Sequence, residues 1–329
     1  GEPAAEVTAI DADILWLTDM IAEVGMYPHD GSHSAICLDG PYLYLNTGNG
    51  VDNTHAVIRK PDSPTLIALD KTTGRVVAVD NEHIGPHIFH ATWSSPALAT
   101  VNGKPLLFLG GPDGVVYAFN PLDKAAIPQT VQHFERVWRF DCDPTGPKEN
   151  MSSYLKNREV SPSNIKGSVV FYKDRIYVCG GGDIWWGKDQ AWLKCIDATQ
   201  TGDVTETAER WTYPLEMHTC ATPAIYNGLV FVTDCNNLVH CVDAETGQPY
   251  WTHEMERDVW GSVLAADDKV YVGSRGRDFV ILAAEKTKQV LATVELDADI
   301  ASTPVAANGV LYVSSLKTLY AIATREGNE

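Results

Sequence analysis

Apolar residues fall along this chain in short runs, separated by Gly, Asn, Asp and Pro. The period is that of strands, not of helices. The runs recur as copies. Ala221-Thr222-Pro223-Ala224-Ile225-Tyr226-Asn227-Gly228 is followed by Leu229-Val230-Phe231-Val232-Thr233, and Ser302-Thr303-Pro304-Val305-Ala306-Ala307-Asn308-Gly309 by Val310-Leu311-Tyr312-Val313-Ser314. Between them, Gly261-Ser262-Val263-Leu264-Ala265-Ala266-Asp267-Asp268 leads into Lys269-Val270-Tyr271-Val272-Gly273. Each copy reads as strand, tight Asn-Gly or Asp-Asp turn, strand, which is the local signature of a β-hairpin. The first half holds the same unit, stretched by insertions: Ser34–Leu38 before Tyr42–Leu45, Ser95–Leu98 before Leu106–Leu109, and Gly167–Phe171 before Arg175–Val178. Aligning the central aromatic gives Tyr44, Phe108, Tyr177, Phe231, Tyr271 and Tyr312, the last of them spaced by about 40 residues, as in four-stranded propeller blades.

A third strand follows each hairpin and carries a small residue at its centre: Ala68, Ala118, Cys195, Cys241 and Ala321. That residue leaves room for a neighbouring ring, so Cys195 and Cys241 read as alanine equivalents. A fourth strand comes after a Thr-Gly turn (Thr73-Gly74, Thr201-Gly202, Thr246-Gly247) and brings Trp138, Trp211 or Trp251, with Val77 and Leu291 in the equivalent places. The sixth unit has no fourth strand after Ala323, whereas Asp13–Met20 has fourth-strand character, Trp16 included. The pattern therefore predicts an all-β propeller, one domain over residues 1–329. It has six four-stranded antiparallel blades and is closed by the N-terminal strand, which would remove an open sheet edge.

Composition narrows function by exclusion. The chain of 329 residues has 44% hydrophobic and 21% charged residues, a globular balance, and a formal net charge of −18. That charge repels a phosphate backbone and speaks against nucleic acid and anionic membrane surfaces. No apolar run approaches the roughly 20 residues of a membrane span. The polar Gly1–Glu6 does not read as a signal peptide, so the chain is expected to be soluble as given. Seven cysteines at scattered positions, with no CxxC, read as thiols rather than a disulfide framework.

Three elements give a family resemblance: the string before a Thr-Gly turn (Cys241-Val242-Asp243-Ala244-Glu245-Thr246-Gly247, Ala68-Leu69-Asp70-Lys71-Thr72-Thr73-Gly74), the Trp that follows, and Ser-x-Pro at blade starts. Together they resemble the quinoprotein alcohol dehydrogenase-like, or PQQ-like, repeat. Ile14-Leu15-Trp16 through Tyr27-Pro28-His29-Asp30, and Phe89-His90-Ala91-Thr92-Trp93-Ser94-Ser95-Pro96, are similar to bacterial PQQ-like repeat proteins in particular. The family, whose propellers typically have eight blades, holds quinone-dependent dehydrogenases and an outer-membrane-assembly scaffold lipoprotein. The resemblance implies a periplasmic or extracellular place. It also raises pyrroloquinoline quinone with calcium as a cofactor, although no Glu/Asn/Asp trio here matches the family's calcium ligands and its vicinal cysteine pair is absent.

In a propeller the loops from strand two to three and from strand four to the next strand one share a face. The long insertions, Asn46–Ser63, Asn81–Thr92, Asp141–Asn164 and Gly180–Ala191, all obey that rule, while the one–two turns on the opposite face are minimal; the exceptions are moderate three–four loops near Pro121–His133 and Asp203–Glu209. The insertion-rich rim is thus the expected binding face. Its candidate residues are His33, His90, Trp93, Asp183, Trp185, Trp186, Lys188, His218, Trp260, Arg275 and Arg277. Trp185-Trp186 reads either as a stacking platform or as a plug on the channel. His83, His87 and His90 form a weak zinc candidate, because their gaps fit no usual structural site and Gly85-Pro86 breaks any helix that would align them. The sequence lacks the GxSxG, HExxH, P-loop and Rossmann fingerprints. The expected function is binding or scaffolding of a protein, peptide or carbohydrate, with catalysis unproven. The alternative is a quinone- and calcium-dependent oxidoreductase of alcohols or sugars.

Overall fold

The computed structural model describes residues 14–29 and 34–323. Six antiparallel sheets follow one another along the chain. The first pairs Cys37–Asp39, Tyr42–Asn46, Leu66–Asp70 and Val76–Val79 in sequence order, and the fourth pairs Ala224–Tyr226, Leu229–Thr233, Leu238–Asp243 and Pro249–Glu254 in the same way. The chain is an all-β propeller. Apolar clusters sit between successive sheets. Phe108, Trp138 and Ile176 belong to one such cluster, Tyr177 and Val230 to the next, and Val239 and Val270 to the one after.

The register explains the repeat. The central aromatic of strand two pairs with the small residue of strand three: Tyr44 with Ala68, Phe108 with Ala118, Tyr177 with Cys195, Phe231 with Cys241, Tyr312 with Ala321. On its other side the same small residue pairs with the fourth-strand ring: Ala118 with Trp138, Cys195 with Trp211, Cys241 with Trp251. A small side chain between two rings conserves volume across the sheet. The fifth sheet inverts the pattern, placing Ile281 between Tyr271 and Ala292. In the first and fifth sheets the residue at the Trp position is Ala78 and Ala292, one residue on from the expected Val77 and Leu291. The cause is a β-bulge after the central third-strand residue, which recurs in the first five sheets, for example between Ala68 and Leu69 and between Ile281 and Leu282.

The Asp-x-x-Thr-Gly string is a turn with its own fasteners. Asp243 accepts hydrogen bonds from the Glu245 and Thr246 amides, and Gly247 takes φ +71°, which suits glycine. The ring of Trp211 from the preceding sheet lies against Gly247, and its Nε1 donates to the Ala244 carbonyl at 3.2 Å. Trp138 and Trp251 make the matching bonds to Ala198 and Glu285.

The expected closure by the N-terminal strand is corrected here. Residues 14–19 form no strand, and the sixth sheet has three strands among the described residues, Val305–Ala307, Val310–Ser314 and Leu319–Ile322. Trp16 nevertheless fills the place of a fourth-strand tryptophan. Its Nε1 donates to Lys71 O at 2.9 Å and its ring lies against Gly74. It packs with Met20 and Val24, the latter two in a short helix Met20–Val24, over Ile67, Leu69 and Val76 of the first sheet. Docking there rests on this packing and on side-chain hydrogen bonds to the Lys71 and Gly74 carbonyls, without strand pairing to the sixth sheet among the described residues. Leu316, Leu319 and Ile322 stay exposed. The three–four insertions also find a use. Gln132–His133 adds in parallel to the outer strand of the first sheet, and Gly202–Asp203 to that of the second, so both edges are covered.

Candidate functional site

Three backbone segments meet at Gly50. Pro28 bridges Asn49, and Gly50 bridges Ala91, so Gly48–Val51 lies between residues 27–29 and residues 90–92. Val51 N donates to His90 O at 3.0 Å and Gly50 N to Tyr27 O at 3.1 Å. Side chains fix the crossing. Asn49 Oδ1 accepts from Tyr27 N, and Asn46 Nδ2 donates to Ser94 O. A Cβ on residue 50 would come within 2.7 Å of His29 Cβ and 2.9 Å of His90 O. Glycine is therefore what lets His29 and His90 approach, and their Nε2 atoms stand 3.1 Å apart. The long two–three loop supplies the third ring. Asp52 holds that loop by accepting from Thr54 and pairing with Arg59 at 2.8 Å, and His55 sits at φ 57° on its tip. The His55 ring centroid lies 4.7 Å from that of His29 and 5.3 Å from that of His90.

Asp183 anchors the site from the third sheet's two–three loop. It is fully buried. Its Oδ2 accepts from His90 Nδ1 at 2.9 Å, Lys166 Nζ at 2.5 Å and Asn164 Nδ2 at 3.3 Å. Its Oδ1 accepts from the backbone amides of Trp185 and Trp186 at 3.0 and 3.1 Å, turning both rings into the site. Burial pushes this carboxyl up, but the Lys166 ammonium and the His90 contact outweigh it and hold Asp183 well below the usual carboxylate range. Arg158 fastens the same loop through the carbonyls of Ile184, Trp185 and Gly187.

Aromatic rings extend the site. His55 lies over Trp186, with centroids 4.6 Å apart. Trp185 stands edge-on to His90, to Trp93 and to Trp260, the last two at 5.7 and 5.6 Å. The Lys166 ammonium lies 4.7 Å from the Trp93 centroid and 5.3 Å from that of Trp185, and Arg275 covers Trp260. His218 is buried, and neither ring nitrogen has a hydrogen-bond partner among the described residues. Burial, then the nearby Lys166 charge, lowers its pKa to about 3.

The structure thus brings His90, Trp93, Asp183, Trp185, Trp186 and Trp260 into one contiguous group. Other candidates go elsewhere. Lys188 is spent on Asp143 at 2.6 Å, below the loop. Arg277 pairs with Glu295 at 2.6 Å. His33 lies outside the described residues. The triple His83, His87 and His90 is not assembled: His83 is exposed and His87 Nδ1 contacts Lys148 O, so only His90 enters the cluster. A 3-10 turn at Gly85–His87 lies between His83 and His90. Sequence reasoning missed His29, His55 and Lys166. The insertion rule that selected Asn46–Ser63 already contained His55. His29 stood in the Tyr27–Asp30 segment quoted for the family resemblance, with no ligand role attached, and Lys166 gave no signal.

These residues do not fit the quinone and calcium pair that the resemblance implies. Trp185 meets Trp93 and Trp260 at interplanar angles of 67° and 66°, so the rings form no parallel slot for a planar tricycle. Both oxygens of Asp183 are occupied by five donors, which leaves no lone pair facing a calcium ion.

Comparison with known proteins gives four findings. A family model described as "Outer membrane protein assembly factor BamB" matches residues 113–329. A quinohemoprotein alcohol dehydrogenase from Comamonas testosteroni is 28% identical over 108 residues, 29% of this chain, and the match spans 15% of that relative's length. The solved structure of BamB from Moraxella catarrhalis is similar with a TM-score of 0.56 and 15% identity, covering 88% of this chain and 71% of that one. The computationally designed Ika8 protein gives 0.57 and 10% identity, covering 88% of this chain and 70% of that one. The likeness to both solved structures is one of fold.

Proposed function

Because the chain belongs to the family described as outer membrane protein assembly factor BamB, we propose that it is a binding propeller that engages a protein segment through its insertion-rich rim. One observation carries the reading: the long loops of three sheets converge on a half-exposed tryptophan group, held rigidly from below by Asp183 and Arg158. Half-buried tryptophans on a rigid support are what a protein hot spot uses, since little side-chain entropy is lost on contact. The acid surface adds selection for basic or neutral partners. Family habit places such a protein in the periplasm or at the cell surface, and no helix of the described residues is long and apolar enough to cross a membrane.

The oxidoreductase reading rests on a relative matched over 15% of its length, and the ring geometry and the saturated Asp183 speak against it. Reconstitution with pyrroloquinoline quinone and Ca²⁺, followed by dye-linked alcohol and sugar oxidation, separates the two. The binding reading expects neither turnover nor saturable quenching of tryptophan fluorescence by the quinone. Sustained turnover that needs both additions overturns it.

A further inference from the structure

We propose that His29, His55 and His90 bind a divalent transition-metal ion, with zinc as the ion that this donor set suits. One ligand nitrogen from each ring lies within 4.8 Å of the others. A tetrahedral zinc ion with bonds of about 2.0–2.1 Å to nitrogen holds its ligand nitrogens about 3.3 Å apart. The 3.1 Å between His29 Nε2 and His90 Nε2 is already close to that spacing, and His55 needs only a modest inward turn.

The protonation pattern is set by the surroundings. Asp183, ionised, can only accept, so His90 carries its proton on Nδ1 and turns the lone pair of Nε2 toward His29. A carboxylate behind the far nitrogen of a ligating imidazole is the usual outer support of a metal site. Lys166 pairs with the same carboxylate at 2.5 Å and holds it in place behind His90.

A bare hydrogen bond between two histidines accounts for the His29–His90 contact alone. It gives no reason for a third imidazole, delivered by a separate loop and held at φ 57°, to reach the same point. Three neutral nitrogen ligands leave a fourth position for water or a carboxylate. A cleft of about 170 Å³, lined by His55, Ala56, Ile58, Phe89 and Met151, opens beside His55 and gives an entry path. His83 and His87 take no part.

The test uses the full chain alone, so its outcome is independent of the partner reading. The protein is stripped with a chelator, exposed to Zn²⁺, freed of excess and assayed for bound metal. Co²⁺ then serves as the visible probe. The expected result is one zinc per chain, a four-coordinate cobalt absorption, and at least tenfold weaker binding in His55→Ala and in His90→Gln. The double variant His83→Ala/His87→Ala should bind as the parent does. Circular dichroism checks folding. Should His90→Gln unfold, the half-exposed His55→Ala decides. No retained zinc in the parent, or parental affinity in His55→Ala, overturns the proposal.

Discussion

At the scale of single residues, the site is organised by one carboxylate. Asp183 gathers five donors from three segments, so its position fixes His90, Lys166 and both loop tryptophans together. His218 beside it is a different kind of buried group. Its folded pKa of about 3 lies below the ordinary 6.5, so the unfolded chain takes up the proton first as pH falls. The neutral ring's contribution is fully present above about pH 6.5 and is lost progressively down to about pH 3. Replacing His218 by Leu should therefore flatten the fall of stability between neutral pH and about pH 4.5. Urea midpoints of parent and variant at the two pH values measure this. An unchanged slope would show that His218 does not titrate as described. At this scale the sequence was only half legible. A search for ligands along one segment finds His83, His87 and His90. The rings that meet come from residues 29, 55 and 90, and what joins them is Gly50, whose lack of a side chain has no signature in spacing.

At the scale of elements, most of the fold was legible because the repeat encodes volume. A ring in strand two faces a small residue in strand three and a second ring in strand four, and where the third-strand residue grows to Ile281 the fourth-strand partner shrinks to Ala292. Cysteine at 195 and 241 follows from that rule, and both are fully buried between rings. Cys241→Ala should then cost little, while Cys241→Leu should lower the unfolding free energy by about 1–3 kcal/mol through overpacking against Phe231 and Trp251. Equilibrium denaturation of the two variants checks the ordering, and a Leu variant as stable as the Ala variant would refute it. The one-residue offset to Ala78 and Ala292 was not legible, because a β-bulge is a backbone event that the apolar pattern does not mark.

At the scale of the whole molecule, the segment around Trp16 was recognisable as a fourth-strand equivalent, yet its partner was not. The contact that holds it is a tryptophan on the Thr73-Gly74 turn of the first sheet, not a ladder to the sixth. Pairing between distant ends is set by the packing of everything between them, which no local pattern specifies. The asymmetry of the two rims, by contrast, was readable from loop lengths: tight one–two turns such as Asn227-Gly228 on one side, and the loops bearing His55, His90 and Trp185 on the other. On that asymmetry rests the claim that the insertion-rich rim is the working face. Site-specific photocrosslinking tests it most directly, with the reactive group placed at position 186 on that rim or at position 227 on the opposite one, in cells that make the full protein. The account predicts a discrete protein adduct from position 186 and none from position 227. Adducts from 227 alone, or equally from both, would contradict it.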